Sequence, residues 1–396
     1  MKKGYLTRTI LILSVISFFT DVASEMLYPV IPIYLKSIGF SIALIGILEG
    51  IAEAIAGLSK GFFGFWSDKI SKRAPFIQFG YTLSSIAKPM MGLLPFPLWV
   101  FLARTLDRLG KGIRTSARDA MLSDETNPDN KGKVFGFHRS LDTFGAVVGP
   151  IITLLLLSTV IKEYRWLFIY SAIPGLIVII LCFFVRDKKE SVKKEKTTTS
   201  LNFFIFWKYL VDSSRNYKLV VVPLLIFTLF NSSDFFLLLK LKEYGFSDHN
   251  VILFYILFNI SYAIFSFPAG KFADKLGMQK VIAFGLFIFS IVYIAINFSG
   301  LFGWLVVIFI LYGLYNASTE GIVKALITNI VPKNETATAL GSFNSFASLA
   351  TLLASSFAGL IWNFFGSTTA LVISGIVSFA IFIYFAFLLK LEFKSA

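Results

Sequence analysis

Gly64-Phe65-Trp66-Ser67-Asp68-Lys69, running on to Lys72-Arg73, and Gly270-Lys271-Phe272-Ala273-Asp274-Lys275, running on to Gly277 and Lys280, are two copies of one pattern, G-x-x-x-D-K. Each copy stands in a short loop between two long apolar segments, and the copies lie 206 residues apart in a chain of 396. The second half therefore repeats the first at coarse grain. Duplicated six-helix membrane units of this kind build many secondary transporters. The glycines let helices approach closely. The aspartates can accept hydrogen bonds from helix N-termini or pair with a nearby arginine. Gly64, Asp68, Lys69, Gly270, Asp274 and Lys275 are thus expected to form gating loops that latch two bundles on one side of a membrane.

Composition points the same way. Hydrophobic residues make up 56% and the mean hydropathy is +0.76. Charged residues are 15%, against about 25% in soluble domains, so much of the chain is built to meet lipid or other apolar helices. The net charge of +14 does not call for nucleic acid, because much of the basic charge falls in alternating loops, as expected of loops facing anionic lipid. One cysteine, Cys182, excludes an intrachain disulfide. Met1 to Arg8 reads as a short basic leader rather than a cleaved signal, since the apolar stretch after it is too long and carries Asp21 and Glu25.

A helix needs about 20 apolar residues to cross the hydrocarbon core. Twelve spans are read near 9–36, 41–65, 75–95, 97–118, 134–159, 164–185, 219–242, 249–271, 279–298, 301–329, 336–361 and 367–390. The predicted fold class is all-α integral membrane, two pseudo-symmetric six-helix bundles over 1–185 and 219–396, joined by a linker, 186–218. The linker holds nine Lys or Arg against four Asp or Glu. Its centre, Lys188 to Ser200, reads as a mobile tether, and Phe203 to Tyr209 as an aromatic stretch on the membrane surface. Basic residues before the first span, after the second and fourth, and in the linker all fall on one side of a twelve-span count. The positive-inside rule makes that side the cytoplasm, with both termini there and the protein in the plasma membrane.

The doubled loop resembles the signature loop of the major facilitator superfamily, with Ser71 in the first copy where a Gly is usual and Gly277 in the second. The resemblance implies alternating access between two bundles. A narrower one lies in the fifth span. Gly136, Gly145 and Gly149-Pro150 are similar to the antiporter motif of drug/proton exporters in that superfamily, without its following glycine pair. Gly145 and Gly149 are also a small-xxx-small pair, which by itself implies close helix packing. In the fourth span Arg104, Asp107, Gly110 and Gly112 follow the exporter outline, with Arg108 replacing a usual Gly.

Ionisable residues at bilayer depth are costly and mark functional sites. On the fourth span Arg104, Asp107, Arg108, Lys111, Arg114 and Arg118 fall within roughly 120° of one face. Arg114 and Arg118 are read as interface anchors that snorkel. On the first span Asp21 and Glu25 are one turn apart, and the second adds Glu49 and Glu53. Four carboxylates and two arginines at similar depth imply ion pairs, with one carboxylate left to titrate. Proton coupling and the transport path are thus expected at Asp21, Glu25, Glu49, Glu53, Arg104, Asp107 and Arg108. His138, Arg139 and Asp142 form a candidate relay. Asn231, Asp234, Asn316 and Glu320 are expected to line the second half of the cavity, with Glu320 pairing Lys324 one turn on.

No H-E-x-x-H and no phosphate-binding G-x-x-x-x-G-K-[ST] occurs, so no enzyme, cofactor or metal is expected. A carboxylate metal site at Asp21, Glu25 and Glu53 is the one weak alternative. The expected function is a proton-coupled exporter of small organic molecules, a monomer in the lipid bilayer. The alternatives are an uptake symporter or exchanger for an anionic metabolite, and a membrane sensor that does not transport.

Overall fold

The computed structural model describes residues 6–28, 30–31, 34–35, 38–39, 42–159, 163–187, 205–231 and 234–389. The centre of the linker, Lys188 to Ser200, and the side chain of Glu49 lie outside them. Twelve spans form two six-helix bundles. The first holds α1 (Arg8–Glu25), α2 (Ile42–Ile70), α3 (Ala74–Met91), α4 (Pro97–Asp124), α5 (Lys131–Thr159) and a sixth span made of α6 (Arg165–Tyr170) and α7 (Ala172–Cys182). Short helix α8 (Ile205–Asp212) precedes the second bundle. That bundle comprises a seventh span made of α9 (Arg215–Phe230) and α10 (Phe235–Glu243), then α11 (Asp248–Leu276), α12 (Met278–Ala295), α13 (Phe302–Ile330), α14 (Thr336–Phe365) and α15 (Ser367–Ile383).

Local chemistry sets the helix ends. Pro97 opens α4, where its missing N–H costs nothing. Ser214 and Ser247 cap α9 and α11, each accepting a backbone N–H at 3.3 Å. The seventh span, expected as one helix, is broken. Asn231 leaves helical geometry at the end of α9 and Asp234 begins α10. Asn, Ser and Asp compete with the backbone for hydrogen bonds and favour caps over helix interiors, and Asn231-Ser232-Ser233-Asp234 is such a run. The sixth span is likewise interrupted at Ser171.

Among the described residues, seven helical stretches are long and apolar enough to cross a membrane on length and composition alone. α4 is not one of them because of its charges, which it buries inside the first bundle: Arg104, Asp107, Arg114, Arg118 and Asp119 are all under a tenth exposed.

The bundles meet along two seams, α5 on α11 and α2 on α14. Both are made by glycine at the end that carries the repeated pattern; Gly64 to Lys69 and Gly270 to Lys275 lie in the last turns of α2 and α11 and not, as expected, in loops, because the helices run on until Ser71 and Gly277 take up left-handed backbone. A Cβ on Gly136 would lie 2.5 Å from the Ser266 carbonyl oxygen, and one on Gly341 would lie 2.5 Å from that of Lys60. Lys60 and Ser266 are 206 residues apart, Gly136 and Gly341 205, so the two seams repeat one contact. Gly64 abuts the Ala337 carbonyl and Gly270 that of Gly132. A side chain at any of these positions would push the backbones apart.

The aspartates complete the seams. Asp68 accepts from the backbone N–H and the hydroxyl of Thr338, both at 2.6 Å, and pairs with Arg73. Asp274 accepts from the N–H groups of Gly132 at 2.7 Å and Lys133 at 2.9 Å. Each carboxylate therefore takes up orphan N–H donors in the first turn of a helix of the opposite bundle, where the helix dipole also favours negative charge. Ser71, in the place of the usual Gly, holds φ at 55°, a left-handed backbone, and Gly277 holds 102°. On the same flank, α8 lies against both α2 and α14. There the Tyr209 hydroxyl donates to Glu335 at 3.0 Å.

Candidate transport cavity and its charge network

Away from the repeated loops, the seams give way to a cavity of about 190 Å³ in the first bundle, lined by α1, α2, α3 and α4 and the residues just after α1. Glycines place its acidic wall. A Cβ on Gly145 would lie 2.5 Å from the Phe18 carbonyl oxygen, and one on Gly149 2.8 Å from the Met26 nitrogen. α5 thus packs directly on the turns of α1 that carry Asp21 and Glu25. Thr153 adds a hydrogen bond to the Met26 carbonyl at 2.7 Å, and Pro150 continues the buried stripe.

The basic wall belongs to α4. Asp107 accepts from Lys88 at 2.8 Å and from Arg104 at 3.4 Å, and Ser84 adds a hydroxyl at 2.8 Å. Arg108 pairs with Glu53 at 3.2 Å, the glutamate side chain 52% exposed into the cavity. Lys111 and Arg114 also line the cavity. Arg114 bonds the Ser84 hydroxyl at 2.9 Å and lies 4.4 Å from the centre of the Tyr81 ring. Among the described residues neither Asp21 nor Glu25 forms an ion pair. The expected pairing is thus found for Glu53 and Arg108, and Arg104 also meets Asp107 on its own helix.

Nearer the repeated loops than the cavity, a connected polar network crosses between the bundles. Arg118 pairs with Asp119 at 2.8 Å and bonds Ser17 at 3.2 Å. Ser17 donates to Asp142, and Ser14 meets His138 Nδ1 at 3.3 Å. Arg139 pairs with Asp142 at 2.6 Å within its bundle and with Glu320 at 2.7 Å across the seam. Tyr262 bonds both Arg139 and Glu320, the latter at 2.7 Å. Lys324 reaches across to Asp119 at 3.1 Å.

Several expectations change here. Glu320 and Lys324 do not pair with each other, because each finds an opposite charge in the facing bundle. Arg114 and Arg118 are interior residues, 6% and 8% exposed, and not snorkelling anchors, since Ser84, Tyr81, Ser17 and Asp119 give them partners inside. Among the described residues none of the second bundle lines this cavity. Asn231 donates to the Tyr315 hydroxyl at 3.1 Å, Asp234 accepts from Tyr312 at 2.5 Å, and Asn316 bonds the Tyr312 carbonyl at 3.3 Å. Lys88, Asp119 and Tyr262 were not among the expected site residues. Lys88 stands alone in an apolar span, and the rule that intramembrane charges are functional would have found it. Tyr262 carries no such signal. Among the described residues no group of three metal-ligating side chains is gathered. The letters G-x-S-x-G do occur, at Gly57 to Gly61, but inside unbroken α2 with Ser59 buried. A nucleophile elbow needs a strand-to-helix turn.

Two repeated six-helix bundles, one of them holding a polar cavity, are an architecture of secondary transporters. The chain matches the family model of the Major Facilitator Superfamily over residues 13–260 and 235–395, and it belongs to that family. It is 33% identical over 385 residues to an uncharacterised MFS-type transporter of Methanocaldococcus jannaschii, covering 94% of each chain. It is 22% identical over 333 residues to the multi-drug resistance efflux pump PmrA of Streptococcus pneumoniae, covering 80% of each. In fold it is similar to the human organic anion transporter MFSD10, with a TM-score of 0.81 at 14% identity over 96% of this chain and 99% of that one. It is also similar to the fucose:proton symporter FucP of Escherichia coli, with a TM-score of 0.78 at 14% identity over 96% and 98%. The protein is a multi-pass membrane transporter and not an enzyme.

Proposed function

We propose that this protein is a proton-coupled exporter of small organic molecules, working by alternating access in the plasma membrane with its repeated loops and termini in the cytoplasm. The observation that carries this reading is the pair of cavity carboxylates, Asp21 and Glu25, that take part in no ion pair among the described residues while every other acidic residue lining the cavity does. A buried carboxylate without a cationic partner is a natural proton carrier. The state described is then outward-facing, sealed at the cytoplasmic end by the two glycine seams. The efflux function named for PmrA supports the direction, and the presence of a charged cavity speaks against a sensor that does not transport. The basic wall favours the second reading, uptake or exchange of an anion.

The test is transport in proteoliposomes with a panel of labelled organic compounds. An imposed pH gradient should drive accumulation of at least one compound, and the movement of protons should follow it. Exchange that proceeds equally with and without the gradient would refute proton coupling.

Loosening the seal should change rates and not recognition. Asp68→Asn weakens the acceptor at the α14 N-terminus, and Gly270→Ala forces α11 away from Gly132. Both lie far from the cavity. Transport should fall about tenfold or more, the scale of one charge-assisted hydrogen bond, while equilibrium substrate affinity holds. A large loss of affinity with unchanged conformational populations would contradict the latch.

A further inference from the structure

The cavity presents unmatched charge of both signs on two different helices. Lys88 and Arg104 share Asp107, and Arg108 takes Glu53. That leaves Lys111, which makes no ion pair among the described residues. It also leaves Arg114, whose recorded contacts are a hydroxyl and a ring face and whose buried Nε has no hydrogen-bond partner. Arg114 is 6% exposed. On α1, Asp21 and Glu25 are the acidic counterparts. Ions at this depth are expensive to leave unmatched. A purely anionic guest would satisfy α4 and leave α1 as it was, and a purely cationic guest would do the reverse. A guest with an amine at one end and an acid at the other satisfies both walls at once. The volume, about 190 Å³, is many times the roughly 10–15 Å³ that a single water needs, room for a small metabolite. Leu27, Tyr28, Ile31 and Met91 give it an apolar lining beside the charges.

We propose that the cavity binds a small dipolar molecule, with its ammonium group at Asp21 and Glu25 on α1 and its acidic group at Lys111 and Arg114 on α4. This rests on the reading of the cavity as a transport site, and it goes beyond both the exporter and the anion-exchanger readings by requiring the two charges together.

The test is equilibrium binding to the purified full-length protein in detergent, with no gradient, by calorimetry. The probes are straight-chain ω-amino acids of two to six carbons, each beside the amine and the carboxylate of the same length. At least one amino acid should bind roughly tenfold or more tighter than both of its single-charge analogues, since a charge-assisted hydrogen bond contributes about 1.5–3 kcal/mol. Lys111→Met should erase the advantage over the amine, Lys111→Arg should keep it, and Glu25→Gln should reduce the advantage over the carboxylate. No advantage at any length, or tighter binding of a single-charge analogue, overturns the proposal. If a variant fails to fold, the wild-type series decides alone. A clear preference in binding with no proton-driven accumulation in vesicles would refute the coupling reading and leave this one standing.

Discussion

Changing Asp21 and Glu25 together to their amides should abolish proton-driven accumulation, at least tenfold below the parent protein, while exchange of substrate down its own gradient stays measurable at saturating concentration. The argument is one of charge accounting. Asp107 is held between Lys88 and Arg104, and Glu53 is held by Arg108, so neither can take a proton without breaking an ion pair. Asp21 and Glu25 have no such partner among the described residues, and they stand one turn apart on α1, so their negative charges repel. They can accept a proton without breaking an ion pair. Glu53→Gln tests the distinction, because it breaks the 3.2 Å ion pair with Arg108 and should harm stability more than coupling. Accumulation by the Asp21→Asn, Glu25→Gln, Glu53→Gln triple variant under a proton gradient alone would move the coupling group elsewhere, with Asp142, Asp234 and Glu320 the next to examine.

The second large effect is a pair of opposite shifts from the two halves of one ion pair. In the state described, Arg139 holds Asp142 and Glu320, and Lys324 holds Asp119. If the seams part at the repeated loops, α13 carries Glu320 and Lys324 away together. They are one turn apart and can then pair with each other, while Arg139 keeps Asp142 and Asp119 keeps Arg118. Every charge has a partner in both conformations. Arg139→Gln leaves Asp142 and Glu320 facing each other only in the sealed state, so it should favour the opened one. Glu320→Gln leaves Lys324 unpaired only in the opened state, so it should favour the sealed one. Breaking a buried pair by removing one partner costs about 3–5 kcal/mol, enough to reverse a population. Spin labels at Asp129 and Lys275, exposed on facing elements beside the α5–α11 seam, would report the distance, since the native Cys182 is buried. Movement of both variants in the same direction would show that the network only stabilises the fold.

The class of fold was legible because its causes are local and periodic. Spans of about 20 apolar residues must be helices in lipid, and the offset of 206 residues between Gly64 and Gly270 already implied two related units. The glycines and Asp68 were legible as packing and capping residues for the same reason, since a missing side chain and a carboxylate at a helix end have few other uses. The break after Asn231 accords with that run of cap-forming residues, although the apolar background of the span predicts one helix.

Partner choice was not legible. Helical periodicity gathers Arg104, Asp107, Arg108, Lys111, Arg114 and Arg118 on one face, but it is silent on which carboxylate each will meet. Sequence spacing offered Lys324 to Glu320, yet the facing bundle supplied Asp119 and Arg139, more than 180 residues away in the chain. The same holds for Tyr262, which looks like any apolar-span tyrosine until α11 lies on α5. The chain by itself determined which residues must turn inward, because an unpaired ion in lipid is too costly to leave outside. Only the packing of the two bundles decided which of those ions neutralise one another and which are left facing the cavity, because ion pairing depends on distance, and the distances between helices are set by glycine contacts remote in sequence.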